Sequence, residues 1–176
     1  DIHAEDAWRL STGSRDVVVA VVDTGIDYAH PDLKANIWSK PGQPEVHGYN
    51  AITGAEDPQD DNNHGTHCAG VIGAMGGNEH GITGVNWNVS VMGSKFLDGF
   101  GSGSTASAIK AIDYAVDHGA RVINASWGGV AYSKALEDAF RNAGEKGVVV
   151  VAAAGNDSSD SDKAPQYPAN FKLDNV

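Results

Sequence analysis

Three kinds of side chain able to donate or accept stand where short apolar runs end. Asp23 closes Val17-Val18-Val19-Ala20-Val21-Val22, Ser126 comes just after Val122-Ile123-Asn124, and Asn156 follows Val148 to Val151 by way of Ala152-Ala153-Ala154-Gly155. Open parallel sheets gather ligands outside the carboxyl ends of their strands, so a carboxylate, a hydroxyl and an amide in these places would share one rim. Singly, Asp23 also reads as a turn cap and Asn156 as a left-handed turn residue, roles in which both types are common. His64-Gly65-Thr66-His67-Cys68-Ala69-Gly70 adds an imidazole at the start of a helix of small residues. His64 and His67 together raise a metal site, but zinc helices space two histidines by four around a glutamate, which is absent.

The elements that must carry these groups are legible from periodicity. The Val17 to Val22 run is continuous and β-branched, as expected of a central parallel strand covered on both faces. His47 to Ala51 and Val89 to Leu97 read as further strands, and Glu5 to Leu10 as a short helix. Gly103 to His118 carries Ile109, Ile112 and Val116 at helical spacing and is closed by Gly119. Arg121 to Asn124 is then a strand, and Ala135 to Glu145 a helix with Leu136, Ala139, Phe140 and Ala143 on one face. Gly147 and the strand Val148 to Val151 follow. Strand and helix alternate, which predicts an α/β fold with right-handed crossovers and a mostly parallel sheet. Asp157 to Asp162 reads as a surface loop, and Tyr167-Pro168 as a tight bend where a trans bond is the expectation unless other information intervenes.

Composition narrows the classes. The chain has 176 residues, 41% of them hydrophobic, which suits one packed domain. A net charge of −11 repels phosphate backbones and argues against nucleic acid and anionic membranes. The Val17 to Val22 run is too short to span a bilayer. A single cysteine, Cys68, excludes an internal disulfide, and packing is its expected role. Val22-Asp23-Thr24-Gly25 also matches the loop of aspartic proteases, but those are almost entirely β, against the helical periodicity after residue 100. A nucleotide-binding α/β domain lacks its phosphate loop here, since Gly99 to Gly103 has no lysine partner.

Four motifs in order resemble the subtilases, the subtilisin-like serine proteases. Asp23-Thr24-Gly25-Ile26-Asp27 with His30-Pro31-Asp32-Leu33 resembles their aspartate segment, and His64 to Gly70 their histidine segment. Asn124-Ala125-Ser126-Trp127-Gly128-Gly129 is similar to the strand lining their specificity pocket, and Ala153-Ala154-Gly155-Asn156 to the segment with their oxyanion asparagine. The resemblance implies a three-layer subtilisin-like fold. It implies His64 as general base, Asp23 as the carboxylate that holds the imidazole's tautomer, and Asn156 as oxyanion donor. Ser102-Gly103 and Ser126-Trp127-Gly128 would pair with an extended protein or peptide substrate, their glycines admitting its backbone.

The family's nucleophile lies in a Gly-Thr-Ser-Met-Ala-type segment roughly 65 residues beyond the oxyanion asparagine, and no serine of this chain has that context. Residues 1–176 therefore read as a partial catalytic domain, truncated at the C-terminal end and inactive alone. Its exposed sheet would call for a complementary C-terminal chain or self-association. A non-catalytic peptide-binding pseudoprotease is the alternative. No signal peptide is read here, and a secreted parent protein is what family habit and acidity imply. The resemblance also implies structural calcium, held by Asp32 and Asn78 with carbonyls of His80 and Ile82. Asp57, Asp60 and Asp61 form a second acidic cluster, read as a solvated loop in preference to another calcium site.

Overall fold

The computed structural model describes residues 2–176. In chain order the elements are α1 (Ala4–Trp8), β1 (Gly13–Asp23), β2 (Gly48–Asn50), α2 (His64–Gly73), β3 (Asn88–Lys95), α3 (Thr105–Asp117), β4 (Val122–Ala125), α4 (Lys134–Glu145) and β5 (Val149–Ala152). The five strands form one sheet in the order β2-β3-β1-β4-β5, and every pairing between them is parallel. Each expected element is present, with ends displaced by a few residues. β1 is the longest because its first half, polar from Gly13 to Asp16, continues beside β3.

The continuous apolar run of β1 is explained by its central position. Ala20 and Val22 pack into a large core with Met92, Ile112, Ile123 and Phe140, beneath α3 and α4. The intervening Val19 and Val21 pack on the opposite face with Val89, Val91, Leu33 and Ala69 of α2. The period of two along a strand thus feeds both outer layers and makes a three-layer fold. Ser104 and Ser133 cap α3 and α4 by accepting from the amides of Ser107 and Leu136. Gly119 and Gly147 end the same helices at φ of 87° and 78°, a region that suits glycine.

The two faces are unequally covered. α3 and α4 span one side, whereas α2 shields chiefly β1 and β3 on the other. Val71 on α2 itself and Val17, Val85, Val149 and Val151 beyond it remain exposed, several of them around a groove of about 360 Å³. The Tyr167–Pro168 bond is cis, contrary to the expected trans form. Gly129 and Tyr167 exchange backbone hydrogen bonds of 2.9 and 2.8 Å beside it.

Candidate active site

The carboxyl end of β1 is where the chemistry collects. Asp23 is fully buried. Its Oδ1 accepts the Thr24 amide at 2.7 Å and meets His64 Nδ1 at 2.8 Å. His64 opens α2, as expected, and its side chain is half exposed. The helix reaches so close to β1 because residue 65 has no side chain. A Cβ on Gly65 would lie 2.1 Å from the carbonyl oxygen of Gly25, while the Gly65 amide donates to Thr24 Oγ1 at 2.9 Å.

Three further residues hold this junction. Asp60 accepts from Thr24 Oγ1, from the amides of Asn62, Asn63 and Thr66, and from Thr66 Oγ1. It thereby caps the start of α2 and ties it to the residue next to Asp23. Burial pushes its carboxyl up, and these hydrogen bonds more than offset that, leaving it below the ordinary range. Lys95 ends β3 directly opposite Asp23. Its buried ammonium donates to the carbonyls of Thr24 (2.6 Å) and Leu97 (2.8 Å) and to Asp61 Oδ1 (2.6 Å). Trp127 Nε1 donates at 2.8 Å to the carbonyl of Val22, beyond the last β1–β4 pair. The acidic loop is therefore not simply solvated, because Asp60 and Asp61 have partners inside the fold. The sequence signal for Lys95 is a lysine next to Phe96 and Leu97 at the end of a strand, and Asp60 has no comparable signal within its acidic loop.

Ser102, Gly103, Trp127 and Gly128 line one cavity of about 430 Å³, floored by Phe96, Leu97 and Ala108. The two expected substrate segments thus face a common hollow. Ser126 is not among its lining residues; its hydroxyl bonds with the side chain of Asn124. Asn156 stands exposed just beyond β5, after Gly155 at φ 99°. Cys68 packs against the smaller core cluster, as expected, but is only half-buried there, and its Sγ lies 4.0 Å from His64 Nδ1, one turn along α2.

The calcium-type loop brings its expected residues together. Asp32 is buried; its Oδ1 accepts from Asn78 Nδ2 at 2.7 Å and its Oδ2 from the amide of Ile82 at 2.8 Å. Ile82 thus points its N–H, not its carbonyl, at Asp32. Asn78 Oδ1 accepts the amide of His80. Burial raises the Asp32 carboxyl, but the bonds from Asn78 and Ile82, with His80 and His30 nearby, bring it below its usual range. A Cβ at Gly81 would strike Asp32 Oδ2 at 2.1 Å, so the loop wraps this carboxylate closely. The Asp32 carboxylate and the Asn78 amide oxygen are hard donors of the kind calcium takes.

A Subtilase family profile matches residues 14–176. A thermophilic serine proteinase from Bacillus sp. (strain AK1) is 41% identical over 163 residues, 93% of this chain and 39% of that protein. Thermitase from Thermoactinomyces vulgaris is 39% identical over 170 residues, 97% of this chain and 57% of that protein. The crystal structure of a cold-adapted subtilisin-like serine proteinase superposes with a TM-score of 0.70 at 31% identity. That match covers 89% of this chain and 52% of the other. The chain spans well under two thirds of the length of these relatives.

Proposed function

The chain belongs to the subtilase family, and from that premise we propose that it supplies the general base, its orienting carboxylate and the substrate cleft of a serine endopeptidase. The observation that carries this reading is the 2.8 Å contact between His64 Nδ1 and the buried Asp23 carboxylate. Holding a proton on Nδ1 leaves the Nε2 lone pair to accept the proton of an attacking serine hydroxyl. The resulting imidazolium is then stabilised by Asp23. The Asn156 side-chain amide donates to the oxyanion formed at the scissile carbonyl. An extended peptide lies along Ser102-Gly103 and Ser126 to Gly128, with a side chain in the 430 Å³ cavity.

The 176-residue polypeptide alone does not hydrolyse peptides in this reading. In support, no hydroxyl among the described residues hydrogen-bonds to His64. Its substrate is protein or peptide, its parent is secreted, and calcium at Asp32 stabilises it. A complementary C-terminal chain or a second copy covers the apolar groove around Val17, Val71, Val85 and Val151.

The experiment is complementation. The purified chain is incubated with casein and with a serine-directed phosphonate, alone and with a polypeptide carrying the family's serine segment. We expect no hydrolysis or labelling alone and both on mixing, with Asp23→Asn reducing the restored rate by about 10⁴-fold. Phosphonate-sensitive hydrolysis by the chain alone overturns the reading. Peptide binding with no restored hydrolysis favours the non-catalytic binding protein instead.

A further inference from the structure

We propose, resting on the reading of the chain as an endopeptidase, that Phe100 is a specificity-determining residue of its cleft. The ring is a fixed platform that selects peptides with an aromatic or other large apolar side chain between the bond cleaved beside His64 and the side chain seated in the cavity. Phe100 is 94% exposed, more than any other large hydrophobic side chain among the described residues. Apolar side chains standing singly are ordinary on protein surfaces, so exposure alone assigns nothing. Here, however, the backbone that presents the ring is pinned. Asp98 Oδ1 accepts the amides of Phe100 at 2.9 Å and Ser102 at 3.0 Å. The Asp98 amide donates to the Ser102 carbonyl at 2.8 Å, and the Gly101 amide to the Asp98 carbonyl at 2.9 Å. The bonds from Ser102 and Phe100 hold the exposed Asp98 carboxyl below its usual range, so it remains an acceptor at neutral pH.

The place of this turn gives the ring an occupant. On one side, Asn62 Nδ2 donates to the Gly99 carbonyl at 2.9 Å while Asn62 Oδ1 accepts the His64 amide at 3.2 Å. One side chain thus ties the turn to the residue proposed as base. On the other side, Gly101, Ser102 and Gly103 line the cavity with Leu97 and Trp127. Residue 100 therefore stands between His64 and the cavity. Its neighbours Gly99 and Gly101 have no side chains to cover the ring. A peptide extended along Ser102-Gly103 turns successive side chains to alternate sides, so one of them meets Phe100. A platform already fixed loses little freedom on binding, and pairing of two aromatic rings is worth roughly a 3- to 10-fold preference. A charged side chain gains nothing from this contact.

The test reads binding and hydrolysis separately. The 176-residue chain is titrated with peptides in which a single phenylalanine is moved through a small, uncharged host made resistant to cleavage by a reduced peptide bond. We expect one position, apart from the one that fills the cavity, to bind roughly 3- to 10-fold tighter with phenylalanine than with alanine. Phenylalanine there also shifts the Phe100 ring resonances in the nuclear magnetic resonance spectrum. Phe100→Ser brings the ratio near one and Phe100→Tyr keeps it; the side chain is exposed, so both variants fold. The cleavable counterparts are then followed after mixing with the polypeptide carrying the serine segment. Restored hydrolysis without a Phe100-dependent preference overturns the assignment and leaves the endopeptidase reading standing. A Phe100-dependent preference in binding without restored hydrolysis overturns the endopeptidase reading and leaves Phe100 as the selector of a binding cleft. Unmoved ring resonances, a ratio that survives Phe100→Ser, or no peptide binding at all overturns the assignment.

Discussion

Replacing Lys95 by methionine probes the junction that assembles the site. Methionine keeps most of the aliphatic stem and removes the ammonium, so the packing change is small and the polar change is isolated. Three acceptors lose their donor: the carbonyls of Thr24 and Leu97 and the Asp61 carboxylate. Thr24 and Leu97 are both buried, and a buried acceptor left unsatisfied costs about 1–3 kcal/mol. Asp61 is different, because 59% of its side chain is exposed and water replaces the lost bond; its share is below about 1 kcal/mol. Relief from burying an ammonium offsets part of the sum. The expected net loss is about 2–4 kcal/mol, or roughly 5–15 °C in Tm for a chain of this length. Asp61→Asn alone should cost less than about 1 kcal/mol, and the double variant no more than Lys95→Met by itself. Urea unfolding followed by circular dichroism measures all three, with an unchanged m-value confirming that the folded state is preserved. If Asp61→Asn costs as much as Lys95→Met, the bond to the carboxylate is the stabilising element and the two carbonyls are not. That result would refute the reasoning.

Acid titration tests Asp60 and Asp32. Both carboxyls are held below their ordinary value, so the folded chain binds fewer protons than the unfolded one. The stability they lend is complete above about pH 4 and is lost as pH falls through their lowered folded values. Asp60→Asn should flatten that acid limb in pH-dependent urea unfolding, and should cost about 1–3 kcal/mol at neutral pH through lost charge-assisted bonds. Gly65→Ala places a methyl 2.1 Å from the Gly25 oxygen, so α2 must shift. A loss of about 3 kcal/mol or more is expected in the same assay, together with loss of the low-field proton of the Asp23–His64 bond. Calcium at 100 times its Kd should add about 2.7 kcal/mol of stability, and Asp32→Asn should remove that increment; an unchanged melting curve after chelation counts against the site.

The parts of the fold that the sequence disclosed are those governed by backbone periodicity. The Val17 to Val22 run announced a strand covered on both faces, and Ile109, Ile112 and Val116 announced a helix face. A strand's carboxyl end is a place, so Asp23 was locatable before any contact was known. The first-turn position of His64 followed from the glycines and alanines after it, which also allow α2 to seat against β1. The cis bond before Pro168 and the partial exposure of Cys68 were not legible in this way. Both are set by what packs around them from distant segments.

The same distinction explains why Asp60 and Lys95 escaped notice. By composition, Asp57, Asp60 and Asp61 are three carboxylates in a polar loop. Only the folded arrangement shows Asp60 turned inward to the amides of α2 and Asp61 turned toward Lys95. The proposed catalytic pair needs its partners placed to a fraction of an ångström, yet Asp23 and His64 are 41 residues apart and neither side chain can fix the other's backbone. That task falls to polar side chains reaching between segments. Asp60 binds Thr24 to the helix start, Lys95 binds Thr24 to Leu97, and Trp127 binds the segment after β4 to Val22. All three bonds converge within one residue of Asp23. The end of β1 is thus the point from which His64, Asp23 and the cavity beside Trp127 are held in register, and a substitution there should disturb all of them together.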